Sequence, residues 1–180
     1  MSVNRLVSGQ AFPDVSVPLV GGGEMTLGKP KEGKDWQVVV VFRGKHCPIC
    51  TRYLGEWNAA LGKLAEIGVD FVAVTADTGA RTQEQIAALD LGFPVGYDLS
   101  ETDMARLGLY ASQPRNEREG ERPFSEPGLF VVNGDGVLLI ADISNVPFAR
   151  PAVSDMVNGL GFIKDPANDY PIRGTHVYAS

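Results

Sequence analysis

The feature that constrains the fold most is an apolar run followed closely by a cysteine–proline pair. Residues Trp36 to Phe42, WQVVVVF, are almost continuously apolar and rich in β-branched side chains. Such a run is typical of a strand that is covered on both faces in a parallel or mixed sheet. A short polar turn follows, and Pro48 then favours the first position of a helix, because proline has no N–H to leave unpaired there. We therefore expect a central strand that leads into a helix, with Cys47 close to the N-cap.

The predicted helix has one apolar face and leads to a second strand. Steps of four and three residues separate its apolar or large side chains, which are Cys50, Leu54, Trp57, Leu61 and Leu64. Gly68 suits a C-cap, and residues 69–74 (VDFVAV) predict another buried strand. Strand–helix–strand crossovers are almost always right-handed and belong to parallel sheets with helices packed on their faces. The predicted fold class is therefore α/β.

Shorter elements are predicted around this unit. Two alternating runs, DVSVPLV and EMTLG, lie on either side of three glycines and predict an N-terminal hairpin. The NGDG sequence between residues 129–132 and 137–143 predicts a second hairpin. The other expected elements are a helix over 81–91, a strand over 93–97, a helix over 102–107, a mobile loop over 113–126 and a last helix from about 151 to 160.

The composition fits one globular domain and disfavours several classes of function. The chain has 180 residues, of which 44% are hydrophobic and 21% charged. We expect a single domain over residues 1–180, with residues 161–180 as a C-terminal tail. The formal net charge of −6 disfavours binding to nucleic acid. The opening residues lack the apolar core of a signal peptide and no stretch is long enough to span a bilayer, so we expect a cytoplasmic protein without a membrane segment.

The two cysteines, Cys47 and Cys50, are the candidate catalytic residues. A bond between them closes so short a loop that it contributes little stability, which argues against a purely structural disulfide. Cysteine attacks as its thiolate, and a helix N-terminus favours that charge at Cys47. Cys50, one turn later and partly buried, would resolve a mixed disulfide formed at Cys47. An inert packing role is the alternative for Cys50.

Neighbouring side chains are candidates for supporting the thiolate. Arg43, Lys45 and His46 would add cationic potential, and His46 is either a proton carrier or a plain surface residue. A structural zinc site needs four ligands, and the chain offers only its two cysteines with His46 and His176. Attachment of c-type haem needs a histidine directly after the second cysteine, where Thr51 stands. We therefore expect neither a metal nor a cofactor.

Five segments that cover most of the chain carry a family resemblance: GQAFPDVSV, VVVVFRGKHCPIC, FVAVTAD, FPVGYDLSETDMARLGLY and GLFVVNGDGVLLI. Together they resemble the alkyl hydroperoxide reductase and thiol-specific antioxidant family, the peroxiredoxin-like branch of the thioredoxin-like superfamily. The resemblance implies a thioredoxin-like fold with a central mixed sheet, helices on both faces and an N-terminal β-hairpin. It also implies a thiol-dependent oxidoreductase.

The sequence departs from the family's peroxidase pattern at three positions. Peroxiredoxins place a proline seven residues and a threonine three residues before the attacking cysteine, where this chain has Val40 and Gly44. An arginine that supports the thiolate in the family aligns with Pro127. That proline instead resembles the cis-proline that thioredoxins place opposite their CxxC motif. We therefore expect a cis Pro127 that shapes a substrate groove with Gly44 and His46; an ordinary trans proline is the alternative.

Three functions remain open at this point. The first is thiol–disulfide exchange through Cys47 and Cys50 with a thiol or disulfide protein, or a small-molecule thiol, as the partner. The second is a peroxidase in which Cys47 is oxidised by peroxide, Cys50 resolves, and an arginine of the 113–126 loop supplies the missing support. The candidates for that arginine are Arg115, Arg118 and Arg122. The third is a non-catalytic redox-sensing module, and the three departures favour the first.

Overall fold

A mixed five-stranded sheet organises the chain in a computed structural model that describes residues 6–176. The strands are β1 (Ser16–Pro18), β2 (Glu24–Thr26), β3 (Trp36–Phe42), β4 (Val69–Thr75), β5 (Val95–Gly96), β6 (Ala111–Ser112), β7 (Phe124–Ser125), β8 (Gly128–Asn133) and β9 (Leu138–Ile143). The helices are α1 (Pro48–Glu66), α2 (Gly79–Ile86), α3 (Glu101–Arg106) and α4 (Val153–Lys164), followed by a 3₁₀ turn at Pro166–Asn168. The strand order in the sheet is β5-β4-β3-β8-β9.

Strand β3 is central, as its apolar run predicts. It pairs in parallel with β4, where Val39 lies opposite Val72, and antiparallel with β8, where Val39 lies opposite Phe130. The pairs β1–β2 and β6–β7 form separate two-stranded antiparallel sheets. The predicted mixed sheet and N-terminal hairpin are therefore confirmed.

Alternate side chains of the sheet enter two hydrophobic cores. Val38, Val40 and Phe42 pack in the core that contains buried side chains of α1 and α4. Val39 and Val41 pack in the other core, which contains side chains of the β1–β2 hairpin and α3. The helices on both faces that the family resemblance implies are thus present. The site-bearing helix α1 is held against the sheet by one of these cores.

Helix α1 follows the predicted apolar face closely. Cys50, Leu54, Trp57 and Leu64 are buried, whereas Leu61 is half-buried. The Trp57 ring is fully buried and stacks on Phe71 of β4, with ring centroids 4.9 Å apart. Gly68 follows the C-cap at a φ of +73°, a conformation that favours glycine.

Several predicted boundaries need correction. Helix α2 covers 79–86 rather than 81–91, and the strand predicted over 93–97 shrinks to two residues because β5 pairs with β4 at only two positions. The last helix begins at Val153 and continues to Lys164, so residues 161–164 belong to α4 and not to a tail. The predicted domain limits at 1 and 180 lie outside the described residues.

The segment 113–126, predicted to be a mobile loop, is tied to the rest of the fold. It ends in β7, which pairs with β6, and it buries Glu119 and Phe124. The backbone N–H of Arg115 donates to Glu119 at 2.8 Å, and Arg81 donates to the carbonyl of Arg118 at 3.0 Å. Residue composition alone overstated its freedom, because the ion pairs formed by its charges depend on the fold.

No helix among residues 6–176 is long and apolar enough to cross a bilayer. The same residues contain no group of three or more His, Cys, Asp and Glu side chains placed to hold a metal ion.

Candidate active site

The cysteine pair lies at the start of α1, at the end of the turn that follows the central strand. Cys47 is the N-cap, with an extended backbone at φ −107° and ψ 96°, and Pro48 occupies the first turn. The two sulfurs form a disulfide, with the Cα atoms 5.2 Å apart. The backbone N–H of Cys50 donates to Cys47 Sγ at 3.2 Å. A thiolate at Cys47 would therefore meet the unpaired N–H groups and positive dipole end of α1, as predicted.

The two sulfurs differ in access. Cys47 is 2% exposed and Cys50 is fully buried in the core between α1 and the sheet. Both cysteines are therefore buried, and Cys47 is the less completely buried of the two. The order of attack, with Cys47 as the attacking or attacked sulfur and Cys50 beneath it, stays a prediction.

Arg150, which the sequence analysis missed, lies directly on the second sulfur. Its Nη2 donates to Cys50 Sγ at 2.9 Å, and its guanidinium lies over the Tyr53 ring at 4.9 Å from the centroid. Tyr53 in turn donates its hydroxyl to the carbonyl of Pro151 at 2.9 Å, which fixes the segment that carries Arg150. Burial lowers the pKa of Arg150 to about 10, so that the side chain keeps its charge at neutral pH. No short motif flags this residue, because it lies one hundred positions from Cys50 along the chain.

A buried ion pair lies near this arginine. Arg43, predicted as a thiolate support, places Nε 3.1 Å from Glu126 Oε2 and lies over the Phe124 ring at 5.0 Å. Glu126 also accepts a hydrogen bond from the Ser112 hydroxyl at 2.7 Å. The charges of Arg43 and Glu126 largely cancel, and Arg150 is left as the cation in direct contact with a cysteine sulfur.

Gly44 has a geometric reason to be glycine where the peroxidase pattern has threonine. Its φ is +121°, and a Cβ at this position would overlap the carboxylate of Asp77. Asp77 is buried, and it accepts hydrogen bonds from the backbone N–H of Lys45 and from Arg81 Nε, both at 2.8 Å. The carboxylate therefore holds the turn before Cys47 in place of a side chain at residue 44.

His46 and Lys45 contribute less charge to Cys47 than the sequence predicts. His46 packs edge-on against Phe124, with centroids 4.6 Å apart. Burial, followed by the nearby charge of Arg43, lowers the pKa of His46 below its usual 6.5, so the ring is neutral at pH 7. The Lys45 ammonium forms an ion pair with Glu84 at the surface. Neither side chain makes a hydrogen bond or ion pair with a cysteine sulfur among the described residues.

The structure differs from the predictions made for Pro127 and Arg122. No cis peptide occurs within residues 6–176, so the bond before Pro127 is trans and the predicted cis-proline is wrong. Pro127 is buried, and its carbonyl accepts from the backbone N–H of Ser144 at 3.0 Å at the edge of the sheet. Arg122, predicted to support the thiolate, instead pairs with Asp98 and donates to the carbonyl of Ala76. Arg150 contacts a cysteine sulfur instead, and that sulfur is Cys50 and not Cys47.

A cleft of about 520 Å³ opens beside the residue that precedes Cys47. We call it the cationic cleft, and its lining residues are Lys45, His46, Arg81, Arg115, Asn116, Arg118 and Glu119. Arg115 binds Glu119 and lowers the pKa of that carboxyl to about 2. His46 is therefore the only one of the three predicted groove residues, Gly44, His46 and Pro127, that lines this cleft.

A buried disulfide at the N-terminus of a helix, set after the central strand of a mixed sheet, defines a thioredoxin-like thiol redox protein. The arrangement can form and release a mixed disulfide at one sulfur while the second is held by a cation. The chain belongs to the AhpC/TSA family, whose model matches residues 8–140. It is accordingly a thiol-dependent oxidoreductase with a CxxC redox pair. No curated protein sequence is significantly similar to the chain.

Solved structures share the fold at low sequence identity. A peroxiredoxin 6 from Arenicola marina aligns with a TM-score of 0.75 at 17% identity, over 91% of this chain and 76% of its own. The peroxidoxin BcpB from Mycobacterium tuberculosis aligns with a TM-score of 0.70 at 18% identity, over 87% of this chain and 96% of its own. A peroxiredoxin-like protein from Aquifex aeolicus aligns with a TM-score of 0.71 at 18% identity, over 88% of this chain and 89% of its own. These alignments support the thioredoxin-like fold.

Proposed function

We propose that the protein catalyses thiol–disulfide exchange, with Cys47 as the entry sulfur and Cys50 as the leaving and resolving sulfur. The observation that carries this proposal is the 2.9 Å contact between Arg150 Nη2 and Cys50 Sγ. Arg150 has two further nitrogens, Nε and Nη1, that are buried without a hydrogen-bond partner among the described residues. A partly buried cation of this kind gains most when a negative charge forms beside it. A thiolate on Cys50 supplies that charge.

In the reductive direction a substrate thiolate attacks Cys47 Sγ. A bond forms between the substrate sulfur and Cys47, the Cys47–Cys50 bond breaks, and its electron pair stays on Cys50 as a thiolate beside Arg150. A second substrate thiolate then attacks the substrate sulfur of the mixed disulfide. The substrate leaves as its disulfide, Cys47 leaves as a thiolate at the helix N-terminus, and the protein holds a dithiol.

The oxidative direction reverses these steps. The Cys47 thiolate attacks a substrate disulfide and releases one substrate thiolate. Cys50 then attacks Cys47 Sγ, releases the second, and restores the disulfide. The partner we propose is a disulfide or thiol protein or a small-molecule thiol. A chain whose two cysteines form one such pair suits the reducing cytoplasm, where we place the activity.

The experiment compares reactants and traps the intermediate. Reduced protein is mixed by stopped flow with a neutral disulfide and, separately, with hydrogen peroxide. We expect faster reaction with the disulfide, and a mixed disulfide trapped on Cys47 in Cys50→Ser but not on Cys50 in Cys47→Ser, both read by mass spectrometry. An adduct formed only in Cys47→Ser would reverse the roles. Absence of turnover with any thiol or disulfide would contradict the proposed exchange and would favour the non-catalytic redox-sensing module.

A peroxidase is the second candidate, and membership of the AhpC/TSA family is the observation that favours it. In that case the Cys47 thiolate attacks a peroxide oxygen, the O–O bond breaks, water or an alcohol leaves, and Cys47 becomes a sulfenic acid. The Cys50 thiol then condenses with it, which forms the disulfide and releases water. The changes at Val40, Gly44 and Pro127 argue against a strong peroxide site. A peroxide reaction many orders faster than that of free cysteine would establish this alternative.

A further inference from the structure

The cationic cleft differs in charge from the rest of the molecule. The chain carries a formal net charge of −6, yet four basic side chains and only one acidic side chain, Glu119, line this cleft. Three of the four basic groups have a carboxylate partner: Lys45 pairs with Glu84, Arg81 with Asp77 and Arg115 with Glu119. These pairs leave an excess of one positive charge at the cleft, which on an acidic protein attracts anions to that place.

Arg118 is the basic residue of the cleft that has no carboxylate partner among residues 6–176. Its guanidinium forms no ion pair or hydrogen bond among residues 6–176, and the residue is exposed. Its backbone is fixed, since its N–H donates to Asn116 at 3.1 Å and its carbonyl accepts from Arg81 at 3.0 Å. An arginine with a fixed backbone and free donors is suited to bind a carboxylate in a bidentate manner.

The residue before Cys47 lines the cleft, and the cleft matches a small reactant in size. His46 lines it and directly precedes Cys47, which is only 2% exposed. Such limited access favours a slender sulfur compound over a folded protein chain. A volume of about 520 Å³ accommodates a small organic thiol and its polar groups.

We propose that the cationic cleft binds the carboxylate groups of an anionic low-molecular-weight thiol or disulfide and so directs its sulfur to Cys47. This inference rests on the proposed thiol–disulfide exchange and specifies its substrate class. Arg118 binds the substrate carboxylate, because the other three basic groups of the cleft are already paired with carboxylates. The covalent step is the one described above. The substrate sulfur bonds to Cys47, the S–S bond of the attacked disulfide breaks, and its electron pair stays on the leaving sulfur as a thiolate.

The test uses three small disulfides that differ in charge. They are 3,3′-dithiodipropionate, which is anionic, bis(2-hydroxyethyl) disulfide, which is neutral, and cystamine, which is cationic. Rates with the reduced protein are divided by the rates of a free dithiol at the same pH, which removes intrinsic reactivity. We expect the anionic compound to be preferred over the neutral one by about tenfold at low salt, and the preference to vanish at high ionic strength.

Two charge-reversal variants locate the effect. Arg118→Glu should lower the normalised rate with the anionic disulfide by about tenfold or more and leave the neutral one unchanged. Lys63→Glu makes the same change in net charge at an exposed position of α1 outside the cleft, and it should alter neither rate. Equal rates for the anionic and neutral compounds in the wild type, or equal effects of the two variants, would overturn the cleft proposal while exchange itself stands. Failure to react with all three compounds would overturn the proposed function as well.

Discussion

Arg150 shows how much a single residue decides at this site. The guanidinium contacts a fully buried sulfur, and no carboxylate pairs with it among the described residues. The cysteine motif could be recognised from sequence because it is local: strand, turn, cysteine and proline follow one another. Arg150 could not be recognised, because its role arises from the packing of a distant segment against Tyr53. Gly44 illustrates the same limit, since its need for glycine depends on Asp77 after another strand.

Replacing Arg150 should change the redox equilibrium. Arg150→Met keeps the length of the side chain and removes the cation that stabilises the Cys50 thiolate. A hydrogen bond to a charged group contributes about 1.5–3 kcal/mol. With about 30 mV for each 1.4 kcal/mol, the reduction potential should become more negative by about 30–60 mV. Equilibration with a dithiol redox buffer of known potential, followed by counting free thiols, measures this shift.

Arg52→Met is the matched control, because Arg52 lies on the same helix but is exposed and paired with Glu56. The reduction potential of the Arg52→Met variant should stay at the wild-type value. A shift of the same size in both variants would mean that general charge, and not the contact with Cys50, sets the potential.

At the scale of elements, α1 is where sequence reasoning succeeded best. Its N-cap, first-turn proline and buried stripe are local patterns with strong physical causes, and all are present. The short elements were predicted less well. β5 has only two residues, and the charged segment 113–126 forms ion pairs with Asp98 and Arg43, distant partners that the sequence does not place. Periodicity identifies elements that bury a long face and loses those fixed by individual contacts.

Trp57 should be the main anchor of α1 on the sheet. Its ring is fully buried against Phe71, so Trp57→Ala should lower the free energy of unfolding by about 3–5 kcal/mol. Trp57→Phe keeps an aromatic ring and removes the indole N–H, which is buried without a hydrogen-bond partner among residues 6–176, and should cost less. Urea denaturation followed by circular dichroism measures both. Lys63→Ala, at an exposed position of the same helix, should stay within about 0.5 kcal/mol of the wild type; a similar loss there would contradict the anchoring role.

At the scale of the whole molecule, two cores on opposite faces of one sheet hold the fold, and the two cysteines are only two of the many side chains in one of them. The alternation along β3 sends Val38 and Val40 to one core and Val39 to the other. Both the apolar run of β3 and the family resemblance could be recognised from the sequence. The trans peptide bond before Pro127 could not be predicted from the sequence, because a resemblance to thioredoxins at one position does not specify the contacts around that position.

The disulfide should therefore contribute little to overall stability. A loop of about four residues gives about 2 kcal/mol in the chain-entropy treatment, and the helix already restricts those residues. We expect the oxidised and reduced proteins to differ in free energy of unfolding by no more than that amount. Urea titrations of both forms, the reduced one in excess dithiol, give the difference. A gap above about 4 kcal/mol would indicate that the bond is a structural staple.

The contact between Cys50 and Arg150 joins residues that are far apart in synthesis. During translation the cysteines emerge well before the segment that carries Arg150, and the intervening chain must complete strands β8 and β9 first. A chain that ends before residue 150 therefore has the cysteine pair without its cationic partner. We expect the disulfide of such a shortened chain to be a weaker oxidant of thiols than that of the whole chain.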